Sequence, residues 1–137
     1  MGNMITRSPD LFNAIVCQVP LLDMKRYNKL LAGASWMAEY GNPDKAEEWE
    51  YIKGFSPYHN LDKSKSYPKV FFTTSTRDDR VHPAHARKMV AKMKAMGKNV
   101  LYYENIEGGH GGAADNNQVA HLYAMVYSYL FEQLQRP

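Results

Sequence analysis

The most constraining feature of the chain is a strand–helix–strand run in its second half. Residues 70–74 and 100–103 are short apolar runs rich in β-branched and aromatic side chains, without strict polar alternation. Runs of that kind belong to strands covered by helices on both faces, as in parallel sheets. Between them Pro83 suits a first helical turn, Met89, Val90, Met93 and Met96 form one apolar stripe, and Gly97 supplies a stop. Two strands joined through a helix in about 35 residues make a parallel βαβ unit with a right-handed crossover. The fold class is therefore α/β, and any ligand site is expected outside the carboxyl ends of the strands.

Two further elements extend that unit. Residues 14–19 form an earlier apolar run that reads as a first strand. Near the C-terminus Val119, Leu122, Tyr123, Val126 and Leu130 recur at helical spacing, with Asp115, Asn116 and Asn117 as candidate caps. The stretch between the first and second strands, about 50 residues, is too long for a plain crossover. It reads as an excursion with at least two helices, near residues 22–31 and 44–53, joined by the aromatic segment Trp36-Met37-Ala38-Glu39-Tyr40-Gly41. Excursions of this kind build pocket walls. Residues 1–7 read as the tail of a helix ended by Ser8-Pro9, and a helix without a preceding cap reads as a truncated start. The expectation is three mainly parallel strands flanked by helices, with a helical excursion between strands 1 and 2.

Composition removes several function classes. With 137 residues the chain is one domain or part of one, and 45% hydrophobic with 23% charged residues argues against disorder. The net charge of +3 comes from basic residues spread along the chain, which argues against a nucleic-acid partner. No apolar span reaches 18 residues and no charged-then-apolar leader is seen, so no membrane partner is expected. The single Cys17 sits in the apolar run Ala14-Ile15-Val16-Cys17 and reads as an inert core thiol; no internal disulfide can form. The compartment stays open, with the cytoplasm slightly favoured.

Two residues stand where chemistry is expected. Asp78 follows the second strand, and His110 follows the third among four glycines (Gly108-Gly109-His110-Gly111-Gly112). An Asp after one strand and a His after the next is the order in which α/β-hydrolase folds supply the acid and base of a catalytic triad. The bland alternatives are that Asp78 and Asp79 cap or charge-complement the next helix, and that His110 sits on a surface turn. No Gly-x-Ser-x-Gly turn precedes Asp78, and neither Ser35 nor Ser75 sits on a strained glycine-flanked turn. His82 and His85 are spaced to share a helix face, but no third ligand accompanies them, so no metal and no other cofactor is expected. Tyr102, Tyr103 and Trp49 read as packing residues.

Ser8-Pro9-Asp10-Leu11-Phe12, Trp36 with Tyr40-Gly41, Ser56-Pro57-Tyr58-His59-Asn60, Asp78-Asp79-Arg80-Val81 and Gly109-His110-Gly111 occur in that order. Together they resemble the C-terminal part of the prolyl oligopeptidase family of serine peptidases, over nearly the whole chain. The resemblance implies the C-terminal half of an α/β-hydrolase fold, with Asp78 and His110 as triad acid and base. It also implies that Arg80 contacts a carbonyl of bound peptide, and that Trp36 and Tyr40 line a proline-accepting pocket. Val81 and Leu21 fall in the same pocket by position. The parent enzyme would hydrolyse peptide bonds, with cleavage after proline as the specificity such a pocket gives.

The departure from the family is the missing nucleophile turn, with its oxyanion-hole N–H, and the missing β-propeller. Residues 1–137 are therefore expected to be a partial catalytic domain, inactive alone. The first strand would lose its neighbour, so self-association is expected, as a two-fold dimer joining first strands or exchanging segments. The alternative from another class is a non-catalytic peptide-binding or self-association module.

Overall fold

The computed structural model of the protein describes residues 1–135. Its elements in chain order are α1 (Gly2–Arg7), β1 (Ala14–Gln18), α2 (Met37–Tyr40), α3 (Ala46–Lys53), β2 (Lys69–Ser75), α4 (Ala84–Ala95), β3 (Val100–Asn105) and α5 (Asn116–Leu134). The strands form one parallel sheet in the order β1-β2-β3, with Ile15 opposite Val70 and Phe72 opposite Tyr102. Among the described residues β1 pairs only with β2, so its other edge carries no strand.

Successive side chains of a strand point to opposite faces, and here both faces are apolar. Ile15, Cys17, Val70, Phe72 and Val100 pack with Ile5 of α1 and with Met89, Val90 and Met93 of α4. On the other face Phe71 packs with Leu122, Val126 and Tyr129 of α5, beside Ala14, Val16 and Tyr103. Two apolar covers explain why the strand sequences lack polar alternation. Helix α4 buries Met89, Val90 and Met93 of its predicted stripe and stops before Gly97, as expected. Helix α5 instead buries Leu122 and Val126 with Tyr129 and leaves Val119 and Tyr123 of the expected face exposed. Of the three candidate caps Asp115 does the work: its Oδ1 accepts from the Gln118 N–H at 2.9 Å. Tyr129 adds a link that no pattern announces. Its hydroxyl donates to Lys69 O and accepts from Ile15 N–H, bridging β1 and β2 where their ladder begins.

The excursion departs from expectation in one place. Residues 44–53 hold α3, but residues 22–31 form no α-helix, only a 3₁₀ turn at Tyr27–Lys29, with a second at Leu31–Trp36. Their backbone groups are committed to distant partners instead. Leu22 and Asp23 N–H donate to His85 Nδ1, Met24 N–H donates to Ser56 Oγ, and Leu22 O accepts from Tyr58 N–H. First-turn N–H groups are free in any helix, but Leu22 O, which a helix would use to accept from Arg26, is taken by Tyr58, and Arg26 N–H bonds Asp23 O instead. No helix among the described residues is long and apolar enough to cross a membrane.

Candidate active site

Both chemistry-bearing side chains come from loops at the carboxyl end of the sheet. After β2 the chain turns, with Asp78 N–H donating to Ser75 O at 3.3 Å. The Asp78 carboxylate is wholly buried, and its Oδ1 accepts from Arg80 and Val81 N–H, each at 2.9 Å. Asp78 thus also shapes the turn that leads into α4, while the exposed Asp79 makes no capping bond to that helix. After β3, Asn105 Oδ1 accepts from Glu107 and Gly108 N–H, each at 2.8 Å, and reverses the chain. Asn105 Nδ2 donates to Gln118 Oε1 at 2.7 Å, and the same oxygen accepts from Ala114 N–H at 2.9 Å. The His110 loop is therefore tied down at both ends.

Glycine is required at two places in that loop. A Cβ on Gly108 would lie 2.7 Å from Ala113 N, inside any allowed contact. Gly112 has φ of 83°, a left-handed value that favours glycine. The tight loop sets His110 Nδ1 at 3.0 and 3.1 Å from the two Asp78 carboxylate oxygens. An ionised carboxylate only accepts, so Nδ1 carries the proton and donates, leaving Nε2 of the neutral ring as a base. The imidazole is 35% exposed and the carboxylate behind it is not exposed at all. A buried acid behind a reachable base can hold the tautomer and stabilise the imidazolium that forms on protonation.

The residues expected to line a substrate slot divide. Leu21 and Tyr40 share the walls of a cavity of about 150 Å³ with Asn3, Met24, Phe55 and Pro57. Trp36, Leu21 and Tyr40 all pack on the cluster of Met24, Tyr27 and Ile52, but Trp36 is not on the cavity wall. Arg80 is exposed and Val81 is buried on the turn before α4; neither lines that cavity.

The remaining candidates take structural places. Ser75 is fully buried, and the Ser35 hydroxyl donates to Ala32 O at 2.6 Å. His82 and His85 each use Nδ1 to accept backbone N–H groups, and no cluster that could hold a metal occurs among the described residues. Burial pushes the Cys17 thiol up to about 11, consistent with an inert core residue. Tyr103 and Trp49 pack in apolar clusters.

One group that sequence reasoning passed over braces the site. Glu104 Oε1 accepts from the Thr76 hydroxyl at 2.6 Å, and its Oε2 accepts from Arg87 Nε at 2.9 Å and from the Tyr102 hydroxyl. Thr76 lies two residues before Asp78, so this brace ties the acid's loop to β3 and α4. The available signal was a lone carboxylate near the end of an otherwise apolar strand.

A buried aspartate thus lies behind a reachable histidine, both delivered from adjacent parallel strand ends in an α/β fold. Comparison with known proteins narrows the class. The prolyl oligopeptidase family matches residues 1–137, and the chain belongs to that family. An uncharacterized peptidase of Sinorhizobium fredii is 52% identical over 134 residues, covering 98% of this chain and 18% of that protein. A prolyl endopeptidase of Elizabethkingia miricola is 38% identical, covering 98% of this chain and 20% of the relative. A solved prolyl endopeptidase structure superposes with a TM-score of 0.92 at 37% identity, over 97% of this chain and 20% of that one. The chain thus spans about a fifth of the length of these relatives and matches their C-terminal catalytic region.

Proposed function

We propose that this chain supplies the acid, the base and part of the substrate wall of a serine peptidase that cleaves peptides, with proline as the preferred residue before the cut. The observation that carries the reading is His110 Nδ1 within 3.1 Å of both oxygens of buried Asp78. In turnover His110 Nε2 takes the proton of an attacking serine hydroxyl and returns it to the leaving amine, while Asp78 holds the ring and balances its charge. The serine comes from outside this sequence, and residues 1–137 act as one part of a catalytic domain. Leu21 and Tyr40 form an apolar wall for the proline ring, Trp36 and Val81 complete it once peptide is seated, and exposed Arg80 holds a peptide carbonyl. The names of the relatives, prolyl endopeptidases among them, support that specificity.

The test is complementation: a segment bearing a Gly-x-Ser-x-Gly turn is fused ahead of the chain and a proline-anilide peptide is assayed. Hydrolysis is expected, with Asp78→Asn lowering kcat by about four powers of ten. A folded fusion without turnover would refute the assignment. A second reading, self-association, is favoured by the unpaired β1 edge together with exposed Tyr123, Tyr127, Phe131 and Leu134 on α5. In it two chains join β1 to β1 about a two-fold axis, and light scattering of a dilute monomer would end that reading.

A further inference from the structure

A second polar cluster lies away from Asp78 and His110, and its members other than Arg26 are buried or half-buried. Asp23 is fully buried; its Oδ2 meets Lys88 and, at 3.4 Å, Arg26, and its Oδ1 accepts from Lys25 N–H at 3.2 Å. His59 Nε2 faces the same carboxylate at 3.9 Å, and His59 Nδ1 lies 2.8 Å from Ser56 Oγ. Ser56 Oγ accepts from Met24 N–H at 3.1 Å. From α4, His85 is only 1% exposed, and its Nδ1 accepts from Asp23 N–H at 3.0 Å and from Leu22 N–H at 3.4 Å. These bonds tie three segments together: residues 21–26, residues 55–59 and the first turns of α4.

The cluster is interleaved with the small cavity. Leu21 and Met24, which line it, bracket Leu22 and Asp23; Phe55 and Pro57, which also line it, flank Ser56. Four of the six lining residues therefore sit beside a residue of the polar cluster. Their side chains face the cavity while the intervening backbone is held by His85 and Ser56. Helix α4, which carries His85 and Lys88, begins directly after the turn shaped by Asp78, so one helix connects the acid's turn to the cavity wall.

We propose that His85 is a positioning residue for substrate binding: its neutral Nδ1 ties the backbone of Leu22 and Asp23 to α4, alongside the bonds that join residues 22–24 to Ser56 and Tyr58, and its protonation releases that wall. The proposal rests on the reading of the cavity as part of the substrate slot. The chemistry requires Nδ1 to be bare, because it accepts two N–H groups and a protonated imidazole accepts none. Burial, joined by the charges of Lys88 and His82 and opposed by Asp23, pushes His85 down to about 4, so the latch stays closed at neutral pH. Asp23 is the anion of the cluster. Burial works against its charge, but Lys88, His59 and Arg26 together hold the carboxyl below its ordinary value.

The test compares the unsubstituted chain with His85→Leu and His85→Asn, the last placing an amide oxygen where Nδ1 stood. Backbone amide exchange is read by NMR, and the affinity for acetyl-Ala-Ala-Pro is read by titration. His85→Leu should speed exchange at Leu22, Asp23 and Met24 and weaken the peptide by about tenfold or more. His85→Asn should restore both. Affinity of the unsubstituted chain should fall as pH drops from about 6 towards about 4, while the asparagine variant stays flat over that range. Slow exchange in folded His85→Leu, no rescue by asparagine, or matching pH profiles would overturn the positioning role. A folded unsubstituted chain that ignores the peptide while His85→Leu still loosens residues 22–24 would instead overturn the substrate reading of the cavity.

Discussion

Replacing Glu104 by glutamine tests whether the brace behind the acid's loop matters. The hydrogen bond from Arg87 pulls the Glu104 carboxyl down, burial opposes it, and the bonds from Thr76 and Tyr102 add to the fall, leaving it at about 2. Against an ordinary 4.5, that difference converts to about 3 kcal/mol at most. The Arg87 side chain is 48% exposed, so water screens part of the interaction, and about 1–2 kcal/mol is the expected share. The sign follows from the lowered folded value. The stabilisation is complete above about 4.5, the unfolded value, and is lost as pH falls towards about 2. Urea unfolding followed by tryptophan fluorescence gives the measurement. Glu104→Gln should lower the midpoint at neutral pH by about 0.5–1 M, for a slope of about 2 kcal/mol per molar. The gap between the two proteins should close as pH approaches about 2. A gap that stays constant across the acid range, or no gap at neutral pH, would refute the reasoning.

Three further outcomes follow from contacts elsewhere. Tyr129→Phe keeps the ring against Phe71, 5.6 Å between centroids, but strips the hydroxyl from Lys69 O and Ile15 N–H; a loss of about 1–3 kcal/mol is expected in thermal unfolding. Gly108→Ala puts a methyl 2.7 Å from the Ala113 backbone, so the loop must shift and the NMR signal of the His110 Nδ1 proton against Asp78 should be lost or moved. Cys17, 2% exposed with its thiol pushed up to about 11, should resist iodoacetamide in the folded protein and react once urea unfolds it; rapid labelling of the native chain would contradict its placement.

Much of the scaffold was legible because it depends on short-range periodicity. The stripe Met89, Val90, Met93 needs only the pitch of a helix to be seen, and the apolar runs of β2 and β3 need only burial on both faces. Asp78 and His110 were legible for a related reason: each follows a recognisable strand, and parallel strands bring their carboxyl ends to one side of a sheet. Residues 22–31 misled because their apolar spacing suits a helix, yet the Leu22 carbonyl that a helix would need is taken by the N–H of Tyr58, a residue far along the chain.

By itself, then, the sequence determined the βαβ core, the buried face of α4 and the order of Asp78 and His110, all of which follow from spacings within a few turns or one strand. The tertiary structure alone decided that Leu21 and Tyr40 share a cavity that Trp36 does not line. It alone decided that Glu104 braces the acid's loop and that His85 anchors the cavity wall. Those arrangements depend on which buried polar group meets which backbone group across the fold. A buried donor must find an acceptor wherever the packed chain brings one, and that partner leaves no periodic mark in the sequence.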